Sequence, residues 1–90
     1  MEKRERLEII KDILVILKNN MGSMKPTPLL RKSNLSSQRF LEYMDKLKEK
    51  GFVEEKMDKK GNREIIITEK GLKYVEKYQT IVSFIEEFEL

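Results

Sequence analysis

At Gly51 the sequence changes period. Before it, apolar residues recur at spacings of three and four. After it, Phe52-Val53 opens a β-type run that extends to about Met57. Asp58-Lys59-Lys60-Gly61-Asn62 has the residue types of a turn. Arg63 to Thr68 forms a second run, with Ile65 and Ile67 on one face and Ile66 on the other. Two such runs around a glycine-containing loop predict a hairpin. From Thr68 the helical period returns, and Thr68 is placed to cap a helix over about 69–88. A chain that interrupts helices with one hairpin is neither a helical bundle nor a sheet protein.

Upstream, residues 3–20 predict a helix. Leu7, Ile10, Leu14 and Leu17 form its stripe, with Ile9, Ile13 and Ile16 alongside. So wide a stripe implies burial on more than one side. Asn19, Asn20, Gly22 and Ser23 end it. A short helix is expected over 28–33, with Thr27 as cap, Pro28 in the first turn, and Leu29 and Leu30 facing the core. Asn34-Leu35 is a tight turn. Ser36 then caps a third helix, 37–50, with Phe40, Met44 and Leu47 buried and Tyr43 and Leu41 beside them. Gly51 fits a left-handed residue after its last turn. The 90 residues leave room for one domain. A chain of this size buries only ~60–65% of its unfolded surface, so it is marginal alone, and dimerisation would relieve that.

The sequence has no Cys and no His. Disulfides, zinc sites of Cys/His type and nucleophilic pairs that need either residue are excluded. No 18-residue apolar run exists to span a membrane. The charged start, Met1-Glu2-Lys3-Arg4-Glu5-Arg6, leads into a helix rather than a signal peptide. Carboxylates are many, but no buried pair, nucleophile or glycine-rich phosphate loop can be placed. The expectation is a cytoplasmic, nucleoid-associated binding protein, not an enzyme, without metal or cofactor.

A short helix, a tight turn and a longer helix make a helix-turn-helix unit. A basic hairpin after it makes a winged helix. The fold class expected is therefore α+β, mainly α, in the order α-α-α-β-β, with a long C-terminal helix. On Asn34-Leu35-Ser36, Phe40, Tyr43-Met44, Leu47, Gly51-Phe52-Val53, Ile65-Ile66-Ile67-Thr68 and Glu69-Lys70-Gly71, the chain resembles the small archaeal winged-helix regulators. Its layout is close to the archaeal chromatin-type dimers that end in a coiled coil. Ser37 departs from that pattern, where an aromatic often sits. The resemblance implies double-stranded DNA binding by a homodimer, either as a specific regulator or as a nonspecific architectural protein. Residues 1–68 would then be the DNA-binding domain, and 69–90 a dimerisation helix of the same structural unit.

Charge is distributed unevenly. Residues 1–63 hold 16 basic and 10 acidic side chains, a net of +6, and residues 64–90 hold 3 and 6, a net of −3. Ile13 to Leu41 contains no acid. At ~100° per residue, Met44 and Leu47 fall within about 40° of Phe40 and define the buried side of the third helix. Gln38, Glu42, Asp45 and Glu49 lie opposite, and Arg39, Lys46 and Lys50 lie on a flank. Helix-turn-helix proteins touch base edges with the start of this helix, which here reads Ser36, Ser37, Gln38 and Arg39. Gln pairs with adenine and Arg with guanine, and Glu42 can accept from cytosine. Arg31 and Lys32 on the second helix are candidate phosphate contacts, as are Lys46 and the wing's Lys56, Lys59, Lys60 and Arg63.

The last helix carries two apolar stripes. Val75, Tyr78, Val82 and Ile85 suit the core. Tyr74, Tyr78, Ile81, Ile85 and Phe88 suit a second subunit, as a short parallel or antiparallel coil. Exposed Phe84, Phe88 and Leu90 would be costly in a monomer. Glu86, Glu87 and Glu89 sit where the helix dipole disfavours them; Arg4 and Arg6 of a partner are candidate counter-charges. Two functions remain: a homodimeric DNA-binding transcription regulator, with a nonspecific chromatin-like binder as its variant, and a protein-interaction module on the same fold.

Overall fold

The computed structural model describes residues 3–89, with side chains from Glu5 onward. Four helices and three strands follow one another: α1 (Lys3–Asn19), β1 (Ser23–Met24), α2 (Pro26–Ser33), α3 (Ser37–Glu49), β2 (Val53–Met57), β3 (Arg63–Ile67) and α4 (Glu69–Glu87). The sheet is antiparallel in the order β1-β3-β2. Val53 faces Ile67, Glu55 faces Ile65 and Met57 faces Arg63, so Ile65 and Ile67 turn to the core together.

α1 is the central element. Ile13, Leu14 and Leu17 are sealed from solvent, and the helix packs on α4, α2 and β3. Leu29 of α2, Phe40, Tyr43, Met44 and Leu47 of α3, and Val75 of α4 complete the core. The α1 stripe starts later than its period predicts. Leu7 is exposed, because the core begins one turn further on at Ile10. Leu41 is also exposed, on the outward flank of α3.

Two local features depart from the sequence reading. The first is β1, which no sequence pattern announces. After α1, Met21 takes the left-handed conformation (φ 63°), and the Gly22 N–H donates to the Leu17 carbonyl at 2.9 Å. The reversal lays Ser23–Met24 against Ile65 and Ile66 of β3 and buries Met24. A two-residue strand shows no period of its own, since it is made by its partner. The other departure is the start of α2. It begins at Pro26, with Lys25 in the cap position and no side-chain cap, so Thr27 lies inside the helix. Pro26 needs no N–H partner and has its φ preset, which makes the cap dispensable.

A non-glycine left-handed residue costs about 1–2 kcal/mol, of which glycine's extra unfolded freedom recovers part. Met21 is 99% exposed and gives up no packing. Met21→Gly is expected to stabilise the protein by about 0.5 kcal/mol, a rise of roughly 2–4 °C in Tm by calorimetry. An unchanged or lower Tm would show that the turn is not strained.

The α3–β2 and β3–α4 junctions meet at one place. The Gly51 N–H donates to the Lys48 carbonyl at 3.1 Å and the Phe52 N–H to that of Leu47 at 2.9 Å, a Schellman closure with Gly51 at φ 77°. The Thr68 hydroxyl accepts from the Gly71 N–H at 3.1 Å and donates to the Gly51 carbonyl at 2.6 Å. The Lys70 ammonium caps the Lys50 carbonyl at 2.7 Å. The end of the third helix and the start of the fourth are thereby tied to each other.

Candidate nucleic-acid interface

The start of α3 is built by its cap. The Ser36 hydroxyl accepts from the Arg39 N–H at 3.2 Å, which leaves Ser36, Ser37 and Gln38 exposed at an acid-free first turn. The positive end of the helix dipole therefore faces solvent. Ahead of it, Asn34 closes α2 in the left-handed conformation (φ 59°), and Arg31 and Lys32 lie exposed on the last turn of α2. Further along α3, Glu42, Asp45 and Glu49 are exposed, as expected for the outward side. Lys46 stands 5.8 Å from the Tyr43 ring centroid, on the flank. Phe40 and Tyr43 are buried, so neither ring is offered to a base.

The wing tip is preorganised by one carboxylate. Asp58 accepts from the Lys60 N–H (2.8 Å), the Asn62 N–H (2.9 Å) and the Asn62 amide (3.2 Å). These bonds, those of Asn62 foremost, hold its carboxyl below the usual range. Gly61 supplies the left-handed residue at φ 82°. Lys56, Lys59 and Lys60 are exposed around this turn.

Two of the three arginines of the expected DNA surface, Arg39 and Arg63, are engaged by carboxylates within the chain. The Arg39 guanidinium donates to the Glu5 carboxylate of α1 at 3.2 Å. Arg63 donates to both oxygens of Glu55, at 2.7 and 2.9 Å, and the Lys48 ammonium of α3 joins the same carboxylate at 2.9 Å. Sequence reasoning singles out neither Glu5 nor Glu55. Glu55 was findable: across the hairpin register it faces Ile65, so Arg63 is its diagonal neighbour on the same face. Glu5 lies 34 residues from Arg39, and no local pattern joins them.

Arg63 first, then Lys48, pulls the Glu55 carboxyl from 4.5 down to about 2. A carboxylate lowered by folding stabilises the folded state above its ordinary value, and that contribution is lost as pH falls through its folded value. Glu55→Gln is therefore expected to lower the urea midpoint at neutral pH. The gap to the wild type should close as pH falls from 4.5 towards 2. A gap independent of pH would mean that packing, not charge, carries the effect.

On α4, the tyrosines and the apolar C-terminal end behave differently. The Tyr74 hydroxyl donates to the Leu7 carbonyl at 2.9 Å, and its ring lies 5.1 Å from Phe52 and 6.4 Å from Tyr78. Burial pushes the Tyr74 phenol up to about 12. Lys11 sits 5.5 Å from the Tyr78 ring centroid. Both tyrosines thus meet α1 of their own chain. Ile81, Phe84, Ile85 and Phe88 are exposed, with the two phenylalanine rings 4.9 Å apart. An open groove of about 890 Å³ runs beside them, between Val15 and Lys18 of α1 and Leu72, Val75 and Phe84 of α4. Arg6, Glu86, Glu87 and Glu89 are exposed. The Arg4 side chain and Leu90 lie outside the described residues.

Among the described residues no cluster of acidic side chains could hold a metal ion. No described helix is long and apolar enough to cross a membrane.

The fold has solved counterparts. Sso10a-2, a DNA-binding protein from Sulfolobus solfataricus, superposes with a TM-score of 0.73 at 22% identity, over 92% of this chain and 83% of that one. F93 from STIV, a winged-helix DNA-binding protein, gives 0.70 at 22% identity over 91% of each chain. MepR, a transcription regulator of a Staphylococcus aureus multidrug efflux pump, gives 0.77 at 16% identity. There the match covers 89% of this chain but only 60% of MepR. No curated protein matches the sequence. The winged helix-turn-helix family model matches residues 3–86, nearly the whole chain, and the protein belongs to that family.

Proposed function

We propose that the protein binds double-stranded DNA as a homodimer and regulates transcription. In this reading α3 enters the major groove, the β2–β3 wing lies on phosphates, and α4 forms the dimer contact. The observation that carries it is the capped, acid-free start of α3, with Ser36, Ser37 and Gln38 exposed. Gln38 is the candidate for adenine readout. Arg31, Lys32, Lys46, Lys56, Lys59 and Lys60 supply phosphate contacts, which give affinity without sequence choice. The reading is further supported by two structural counterparts described as DNA-binding and a third described as a transcription regulator. The dimer is supported by the exposed Ile81, Ile85 and Phe88, with Phe84 beside them, which together make an apolar surface on α4.

One observation favours a second reading, a protein-interaction module. Glu42, Asp45 and Glu49 line the outward face of α3 beyond its first turns and would repel a deeply seated duplex.

A fluorescence titration against random duplex DNA at two salt concentrations, with light scattering on the same sample, separates the two. Expected is a dimer of twice 10.8 kDa that binds at low salt and weakens steeply as salt rises. Lys59→Ala combined with Lys60→Ala should flatten the salt slope by about four per bound dimer, because each of the two subunits leaves two phosphates un-neutralised. A dimer without affinity for random or genomic duplex at low salt would overturn the DNA reading in favour of the protein-interaction one.

A further inference from the structure

Among the described residues of α3, Leu41 is the one apolar side chain that is exposed, at 62%. It adds nothing to the core, which takes Phe40, Tyr43, Met44 and Leu47 from this helix. At ~100° per residue, Leu41 lies about 60° around the helix from Gln38 and about 40° from Asp45, on the outward half. The surrounding charge selects the occupant of this face. Arg31 and Lys32 precede it and Lys46 stands on its far flank, all exposed, as a polyanion requires. Glu42 and Asp45 beside Leu41 turn phosphate away from this spot, so a duplex must meet it with base edges. Those edges carry donors, acceptors and a single apolar group in the major groove, the thymine C5 methyl. A leucine gains only against that methyl. Against any other edge it strips water from a polar group without replacing the hydrogen bond.

We infer that Leu41 is a specificity-determining residue that packs on thymine methyl groups in the major groove. Gln38 is its neighbour one turn back, exposed on the same side. Residues three apart on a helix stand about 5–6 Å from each other, and bases along a strand about 3.4 Å, so the two side chains span one or two base steps. Gln38 bonds adenine while Leu41 covers a thymine methyl, and the pair selects A·T base pairs. The inference rests on the DNA-binding reading above and adds the class of base pair that α3 prefers.

The test is a cycle of two proteins on the full chain, wild type and Leu41→Ala, and two duplexes, alternating dA-dT and alternating dA-dU. Uracil keeps the pairing and the phosphates of thymine and lacks only the methyl. Random-sequence duplex serves as the third probe, and circular dichroism first verifies the fold of the variant. The wild type is expected to bind the thymine duplex more tightly than the uracil duplex by about fourfold per engaged subunit, the worth of one buried methyl. With both helices of a dimer engaged, the ratio is roughly fifteenfold, since the two contributions multiply. Leu41→Ala, whose side chain stops short of the methyl, should bring the ratio to within about twofold of unity. An equal thymine preference in both proteins would place its origin in the shape of the DNA or in another residue, and the inference falls. No thymine preference in the wild type, or binding to random duplex alone, overturns it and leaves the DNA reading standing. No binding by the wild type to any of the three duplexes at low salt overturns both.

Discussion

Gly71→Ala is expected to destabilise the protein by about 3 kcal/mol, at the upper end for inserting one methyl into a packed site. The position is helical, and on propensity alone alanine would be favoured by about 1 kcal/mol. Sterics reverse the sign. A Cβ at Gly71 would overlap the Phe52 carbonyl oxygen and lie 2.8 Å from the Ile67 Cγ1. The first obstacle is backbone, held by the Thr68 N–H at 3.0 Å, so it cannot rotate aside as a side chain would. The start of α4 must move away, and with it the Thr68 bridge to Gly51. Thermal unfolding should show a Tm lower by roughly 12–24 °C. Gly61→Ala is the control. Its Cβ meets nothing within 4 Å, and only the positive φ of 82° opposes it, at about 1–2 kcal/mol. If Gly71→Ala melted no lower than Gly61→Ala, the close approach of α4 to the α3–β2 turn would be wrong.

Leu47→Ala is expected to cost about 3–4 kcal/mol, within the range for buried leucines. Leu47 is fully buried, and its carbonyl receives the Phe52 N–H that closes α3. Loss of the side chain empties the site beneath the third helix. A domain of this size has about 5–10 kcal/mol in all, so the variant should unfold at a much lower urea concentration. Leu41→Ala, on the exposed flank of the same helix, should change stability by less than about 0.5 kcal/mol. Similar losses for the two would mean that α3 is not seated by its Phe40–Met44–Leu47 side.

The candidate site is legible in the sequence to different depths. Ser36 as cap, Gly51 as left-handed terminator and Asp58–Asn62 as turn each act through neighbours three or four residues away. Their chemistry is therefore written locally, and the observed hydrogen bonds agree. The buried side of α3 follows from the 3.6-residue period for the same reason. Glu5 and Glu55 are not legible in this way, because their partners lie 34 and 8 residues off and are chosen by packing and register. The charge count alone places Arg39 and Arg63 among bare cations, whereas each is engaged by a carboxylate in the fold.

Local periodicity and turn chemistry thus determined the order of the four helices and the β2–β3 hairpin, their bounds to within about two residues and the inward faces of α3 and β3. Such signals depend on residues close in sequence, which share a face wherever the element is placed. Tertiary structure alone decided the rest. β1 exists because Met21 reverses the chain beside β3. Tyr74 and Tyr78 turn to α1 of their own chain while Ile81, Ile85 and Phe88 stay uncovered. Which basic side chains meet an acid is set by distances between elements, and no spacing along the chain encodes those distances directly.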